Sequence, residues 1–376
     1  MDTPSQPLVS VVTPVYNGAE YLAECIESVL AQTYRNWDYT IVNNCSNDES
    51  LAIAQRYAAR NPRIRVHNNS EFLRVIPNHN LALRQISPAS KYCKMIFADD
   101  WMFPECLERM VAVAEKHASV GIVGAYGLQG RNVAWVGLPY PSTVVSGREL
   151  VRGRFLDEHD MYVFGTPTSL LFRSDLVRSE NPFFNEANLH ADSEKCHDLL
   201  RKCDFGFVHQ VLTFTRERPG SLSSFSKQMN TNAAGILYEV VTYGLDYLSE
   251  EEFELALNRT VFEYYKFLAA NVVSGRRDKE FWSYHKRKMT EAGVGFSRTR
   301  LAKAILAKLA DAALNPKRTI ERLFELHKAR LSAQAQENGP RRPGGALKAG
   351  ADPVTSPQVP LAPGISRPKS TVLKNI

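Results

Sequence analysis

Two adjacent carboxylates, Asp99 and Asp100, end a short apolar run over residues 92–98. Like charges side by side repel, so each acid needs a counter-charge or solvent. A divalent cation bridging to a phosphate would supply one. A solvated turn with an aspartate capping a helix would serve as well. Pro104 suits the first turn of a helix, and Leu107, Met110, Val111 and Ala114 then recur at helical spacing. The acids therefore fall just past the C-terminal end of a buried strand, the edge at which open α/β sheets bind ligands.

The preceding chain supplies the elements that position them. Residues 8–13 form a β-branched strand that Pro14-Val15-Tyr16-Asn17-Gly18 breaks. Leu22, Cys25, Ile26, Val29 and Leu30 make a helical stripe, so 20–31 is a helix. A strand over 38–42 runs into Asn43-Asn44-Cys45-Ser46-Asn47-Asp48, a run of turn and capping residues. Helix 50–59, strand 64–67, helix 78–86, strand 92–98, helix 104–117 and strand 120–125 complete the series. Uninterrupted alternation predicts a Rossmann-like α/β fold with a parallel sheet, right-handed crossovers and helices on both faces. Tyr16, Asn44 and Asp99 each fall at or just after a strand end and belong on one rim. No G-x-G-x-x-G follows the first strand and no G-x-x-x-x-G-K-[ST] occurs, which disfavours a dinucleotide or P-loop site. Carboxylates and amides on the rim suit a base, a ribose and a metal-bound diphosphate.

The 376 residues allow one large domain or two ordinary ones. No apolar stretch approaches a membrane span, and the polar first residues lack the apolar core of a signal peptide. The six cysteines contain no C-x-x-C pair and read as reduced cytosolic thiols. The net charge of +6 is concentrated in residues 338–376, where six Lys/Arg face the single acid Asp352 beside seven of the 20 prolines. That composition predicts a disordered tail. The remainder is nearly neutral, which argues against nucleic acid as a partner.

The segments P-V-Y-N-G-A-E-Y-L, S-V-L-A-Q-T-Y, I-V-N-N-C-S-N-D-E-S, P-N-H-N-L-A-L and F-A-D-D-W-M-F-P-E-C-L occur in that order. The set resembles the family 2 glycosyltransferases of the GT-A fold, over residues 8 to 220. The resemblance implies a nucleotide-sugar donor, Mn²⁺ or Mg²⁺ as cofactor, a saccharide or lipid-linked acceptor, and a place in polysaccharide assembly. It puts nucleotide contacts at Thr13, Pro14, Tyr16 and Asn17, and base and ribose contacts at Asn43 and Asn44, where the family usually has acids. Asn can still pair with a base edge. The family's D-x-D reads Phe97-Ala98-Asp99, followed by Asp100. Asp99 then faces the ribose or diphosphate and Asp100 the metal, or the two exchange roles. Asp192 matches the acceptor-side aspartate, a group able to take the acceptor hydroxyl's proton. Glu194 is its local rival, and His190 fits a structural role. Arg216 and Arg218 stand in a segment like the family's R-x-H-x-x-S, and could grip the diphosphate or form a surface salt bridge.

Residues 127–158 show no clear pattern, and Gly165 to Ser169 precede an apolar strand-like run, 170–172. The expected division is a catalytic domain over 1–225, a helical extension over 226–337 and the tail. Nine basic residues against three acids lie in 298–330, where Pro316 should interrupt a helix. That segment suits either a packed helix with a solvated basic face or peripheral contact with an anionic membrane. Two other function classes fit the same core. A sugar nucleotidyltransferase would want a Gly-rich basic loop after the first strand. A silent nucleotide-sugar-binding protein is compatible with Asn43 and Asn44.

Overall fold

The computed structural model describes residues 6–158, 164–218 and 222–315. Strands β1 (Val9–Val15), β2 (Trp37–Asn43), β3 (Ile64–Asn68) and β4 (Tyr92–Met95) alternate with helices α1 (Leu22–Leu30), α2 (Ser50–Arg60) and α3 (Val75–Leu83). The short β5 (Trp101–Met102) precedes α4 (Cys106–Lys116) and β6 (Val120–Gln129). These elements follow the predicted alternation. Every residue of β1 is buried, as a central parallel strand covered on both faces requires.

The second half departs from a simple parallel sheet. It contains β7 (Asn132–Ala134), β8 (Val144–Val145), α5 (Gly147–Leu156), a 3₁₀ turn (Pro167–Ser169), β9 (Leu170–Arg173), α6 (Ser174–Arg178), α7 (Ala191–Leu199) and β10 (Asp204–Thr215). The sheet order is β3-β2-β1-β4-β9-β6-β10-β5. The long ladders, β3 to β4 and β6 with β10, are parallel. The four-residue β9 runs antiparallel between β4 and β6, so the fifth predicted strand does not neighbour the fourth. Leu170, Leu171 and Phe172 are all buried, and an unalternating apolar run carries no sign of strand direction. The sheet is thus mostly parallel and flanked by helices.

Helices α8 (Leu222–Met229), α9 (Asn232–Tyr247), α10 (Glu250–Val273), α11 (Lys279–Glu291) and α12 (Arg298–Leu314) follow. The chain forms two compact units that divide between Leu257 and Asn258. The first unit includes α9, which the Arg154–Glu239 ion pair ties to α5 at 2.7 Å. In the second, Phe281, Tyr264 and Met289 are buried and the Tyr264 hydroxyl meets His285 Nδ1 at 2.7 Å. The tail over 338–376, and the part of 298–330 beyond α12, lie outside the described residues.

Candidate active site

The rim begins at the end of β1. In-register pairing of Val15 with Asn43 sets Tyr16 beside Asn44, whose N–H donates to the Val15 carbonyl at 2.8 Å. The turn into α1 is held from the β2–α2 loop. The N–H groups of Asn17, Gly18 and Ala19 donate to Ser46 Oγ, Ser50 Oγ and Asp48 Oδ2 at 2.9–3.0 Å. Asn17 Oδ1 returns a bond from the Asn47 N–H, with Asn17 in the left-handed region at φ 48°. The capping run therefore closes two helix entries, because Asp48 also caps α2 through the Ser50 N–H. Three successive N–H groups that could have cradled a phosphate are already satisfied, which accords with the absence of a P-loop. A Cβ on Gly18 would lie 2.9 Å from Val15 and 3.4 Å from Ala98, so glycine lets this turn approach the residue before Asp99.

Of the residues expected to contact nucleotide at this end, Thr13 and Pro14 are buried. Thr13 Oγ1 accepts from the Tyr39 hydroxyl at 2.8 Å, beneath the rim. Tyr16 is 47% exposed and meets Phe72, 56% exposed, edge to face at 4.8 Å. Phe72 is not singled out by the sequence, since a lone aromatic in a loop has no period. Asn43 and Asn44 are both buried. Asn44 Oδ1 accepts from the Leu73 N–H and Asn69 Nδ2, and its Nδ2 donates to the Leu73 carbonyl. Its amide is thus consumed in fixing the β3–α3 loop. Asn43 Nδ2 donates to Asn68 at 2.7 Å while its buried Oδ1 has no partner among the described residues.

The two acids have different surroundings. Asp100 is 2% exposed, and its two oxygens accept from Thr168 Oγ1 at 2.7 Å and the Arg216 N–H at 2.9 Å. Thr168 is held in turn by Lys94 of β4, a fully buried lysine whose Nζ donates to the carbonyls of Thr168 and Leu170. Burial lowers the Lys94 pKa. Asp99 lies nearer the surface, ion-paired with Arg218 Nε at 2.7 Å. Arg216 donates from Nε to the Asp99 carbonyl, pairs with Glu24 and lies over the Tyr21 ring.

Among the described residues no three His, Cys, Asp or Glu side chains converge as a metal cage. A Mg²⁺-type site completed by substrate phosphates needs only one or two carboxylates. Asp99, partly exposed and held only by ion pairing to a half-exposed arginine, meets that need. The donor set therefore fits such a cation.

Burial, with Asp99 alongside, pushes the Asp100 carboxyl up to about 7. The folded protein then keeps a proton on Asp100 that the unfolded chain releases above the ordinary carboxylate range. This stabilisation is full at acid pH and is lost as pH rises towards about 7. A displacement of that size corresponds to up to about 4 kcal/mol. In chelator, melting temperature should fall across this window, and Asp100→Asn should flatten the profile and raise the neutral-pH melting temperature by several degrees. An unchanged profile in a thermal melt series would contradict the assignment.

Helix α3 links this rim to the segment leading into α7. His79 stacks on Phe97 at 4.9 Å, which explains an aromatic where the D-x-D pattern has an acid. Burial holds the His79 pKa down at about 4, so the ring is neutral. The neighbouring Asn80 exchanges two hydrogen bonds with the Phe184 backbone, at 2.7 and 2.9 Å. Eight residues after Phe184, Asp192 stands in the first turn of α7, with Oδ1 accepting from the Ser193 N–H at 2.9 Å. Burial raises the Asp192 pKa, while positive charge on His190 and hydrogen bonding pull it down. His190 itself bonds Thr231 at 2.9 Å. Glu194 is buried and accepts from Asn185, Asn188, Tyr238 and Tyr243, so its carboxylate is a structural hub.

Residues 10–177 match the family model described as glycosyl transferase family 2. A Bacillus subtilis protein named glycosyltransferase EpsE is 32% identical over 166 residues, 42% of this chain; the match spans 59% of that relative's length. A Bacillus subtilis protein named as the teichuronic acid biosynthesis glycosyltransferase TuaG is 33% identical over 106 residues, 28% of this chain and 41% of its own. The crystal structure of S. aureus TarS 1–349 in complex with UDP-GlcNAc has a TM-score of 0.58 at 17% identity, covering 82% of this chain and 87% of that one. A mostly parallel sheet with paired acids at its C-terminal rim defines a GT-A architecture. The chain belongs to glycosyl transferase family 2.

Proposed function

We propose that the protein is an inverting glycosyltransferase that moves a sugar from a nucleoside-diphosphate donor to a hydroxyl acceptor during polysaccharide assembly. The observation that carries this reading is the asymmetric acid pair, Asp100 locked into the sheet rim and Asp99 facing Arg218 at the surface. TarS, crystallised with UDP-GlcNAc, and the teichuronic acid relative support the donor type and the pathway class.

In this scheme the exposed Tyr16–Phe72 pair offers ring surface to the base. Asp100 fixes the Arg216 backbone, so Arg216 and Arg218 stand where the diphosphate charge would lie. A bound Mn²⁺ or Mg²⁺ would be held by Asp99 and would stabilise charge on the leaving diphosphate. Asp192 takes the acceptor hydroxyl's proton as that oxygen attacks the anomeric carbon from the face opposite the diphosphate. A single displacement of that kind inverts the anomeric configuration.

A bound donor stabilises the fold by mass action. At least one of the UDP-, GDP-, dTDP- and CDP-sugars should raise the melting temperature in the presence of Mn²⁺ or Mg²⁺, and that donor should be hydrolysed slowly without acceptor. No shift with any of them would sink the proposal. A shift without metal-dependent hydrolysis would mark a silent binding protein instead.

A further inference from the structure

We infer that α12 is an interfacial helix that lays its apolar face on an anionic lipid surface. The helix spans 17 residues, Arg298–Leu314, and none of them is buried. Leu306 is 67% exposed and Leu309 50%. At 3.6 residues per turn, Leu301, Ile305, Leu309 and Leu306 fall on one continuous arc, with small alanines between them. Lys303 borders the arc on one side and Lys308 on the other. Asp311, the helix's single acid, lies on the far face near Arg300. The entry is closed by Ser297, whose hydroxyl accepts from the Arg300 N–H at 3.2 Å, so the helix starts with a formed cap.

A water-facing helix gains nothing by setting leucine and isoleucine along one exposed arc. An aqueous protein partner would satisfy the arc but would not call for lysines on both margins. A bilayer interface accounts for both features. The leucines enter the headgroup–acyl boundary while the lysine stems lie along it and their ammonium groups stay with lipid phosphates. Each basic residue near such a surface adds attraction that salt weakens. No helix among the described residues is long and apolar enough to cross a membrane, so the contact is peripheral. This inference stands apart from the transfer reading, because α12 contains none of the proposed site residues.

The test is co-sedimentation of the full chain with phosphatidylcholine vesicles, with and without phosphatidylglycerol. Binding should be at least about tenfold stronger to the anionic vesicles and should weaken as salt is raised. Leu306→Glu/Leu309→Glu and Lys303→Glu/Lys308→Glu should each reduce it by about tenfold or more, while melting temperature and turnover of a soluble acceptor stay unchanged. Equal binding to neutral and anionic vesicles, or none to either, overturns the inference. So does a fall of several degrees in the melting temperature of Leu306→Glu/Leu309→Glu, which would mean that the chain itself covers the arc. A dimer in light scattering that this variant dissolves would assign the face to a second copy.

Discussion

Asp192→Asn is expected to lower kcat by about 10²–10⁴-fold while donor affinity stays within a few-fold. A sugar hydroxyl is a poor nucleophile at neutral pH, so its attack needs a base within hydrogen-bond reach. Asp192 is placed for that at the start of α7, where the helix N-terminus favours the ionised form. Burial works the other way and raises its pKa. The base form therefore accumulates only above the ordinary carboxylate range, and kcat should climb with pH on a limb set by this group. In Asp192→Asn that limb should vanish from the residual rate. Glu194→Gln should behave differently. Its carboxylate collects four donors from Asn185, Asn188, Tyr238 and Tyr243, so the change should lower melting temperature more than it alters chemistry. If Asp192→Asn keeps near-wild-type kcat and a fully folded Glu194→Gln loses it, the base is Glu194. If neither matters, the acceptor does not approach α7.

Asp99→Ala should remove metal-dependent binding of nucleoside diphosphate and reduce transfer by about 10²–10³-fold, the range lost with one transition-state charge contact. The fold should survive, because the Asp99 side chain is held by one partly exposed ion pair. Asp100→Asn should retain metal-dependent binding, since both Asp100 oxygens already accept protein hydrogen bonds. Isothermal titration of nucleoside diphosphate with and without Mn²⁺ separates the two. The reverse pattern, binding kept in Asp99→Ala and lost in Asp100→Asn, would transfer the metal to Asp100.

Much of the catalytic architecture was legible in the sequence. Alternating β-branched runs and helical stripes identified the elements from β1 to α4, because their periods are local and their caps lie within a few residues. Strand ends then placed Tyr16, Asn44 and Asp99 on one rim. The family motifs added roles that no period carries. What the sequence did not disclose depends on contacts between distant residues. β9 enters between β4 and β6 as a short buried run with no directional signature. Asp100 becomes the locked acid only through Thr168 and Arg216, 68 and 116 residues away. Asn44 looks free to read a base until the Leu73 backbone and Asn69 consume its amide. Asn80 joins the acceptor-side segment to the rim across 104 residues. Local propensity fixes where a chain extends or coils, whereas the partner of a buried polar group is chosen by which elements the core brings together. That choice, made by packing, decided which of two adjacent aspartates faces the surface.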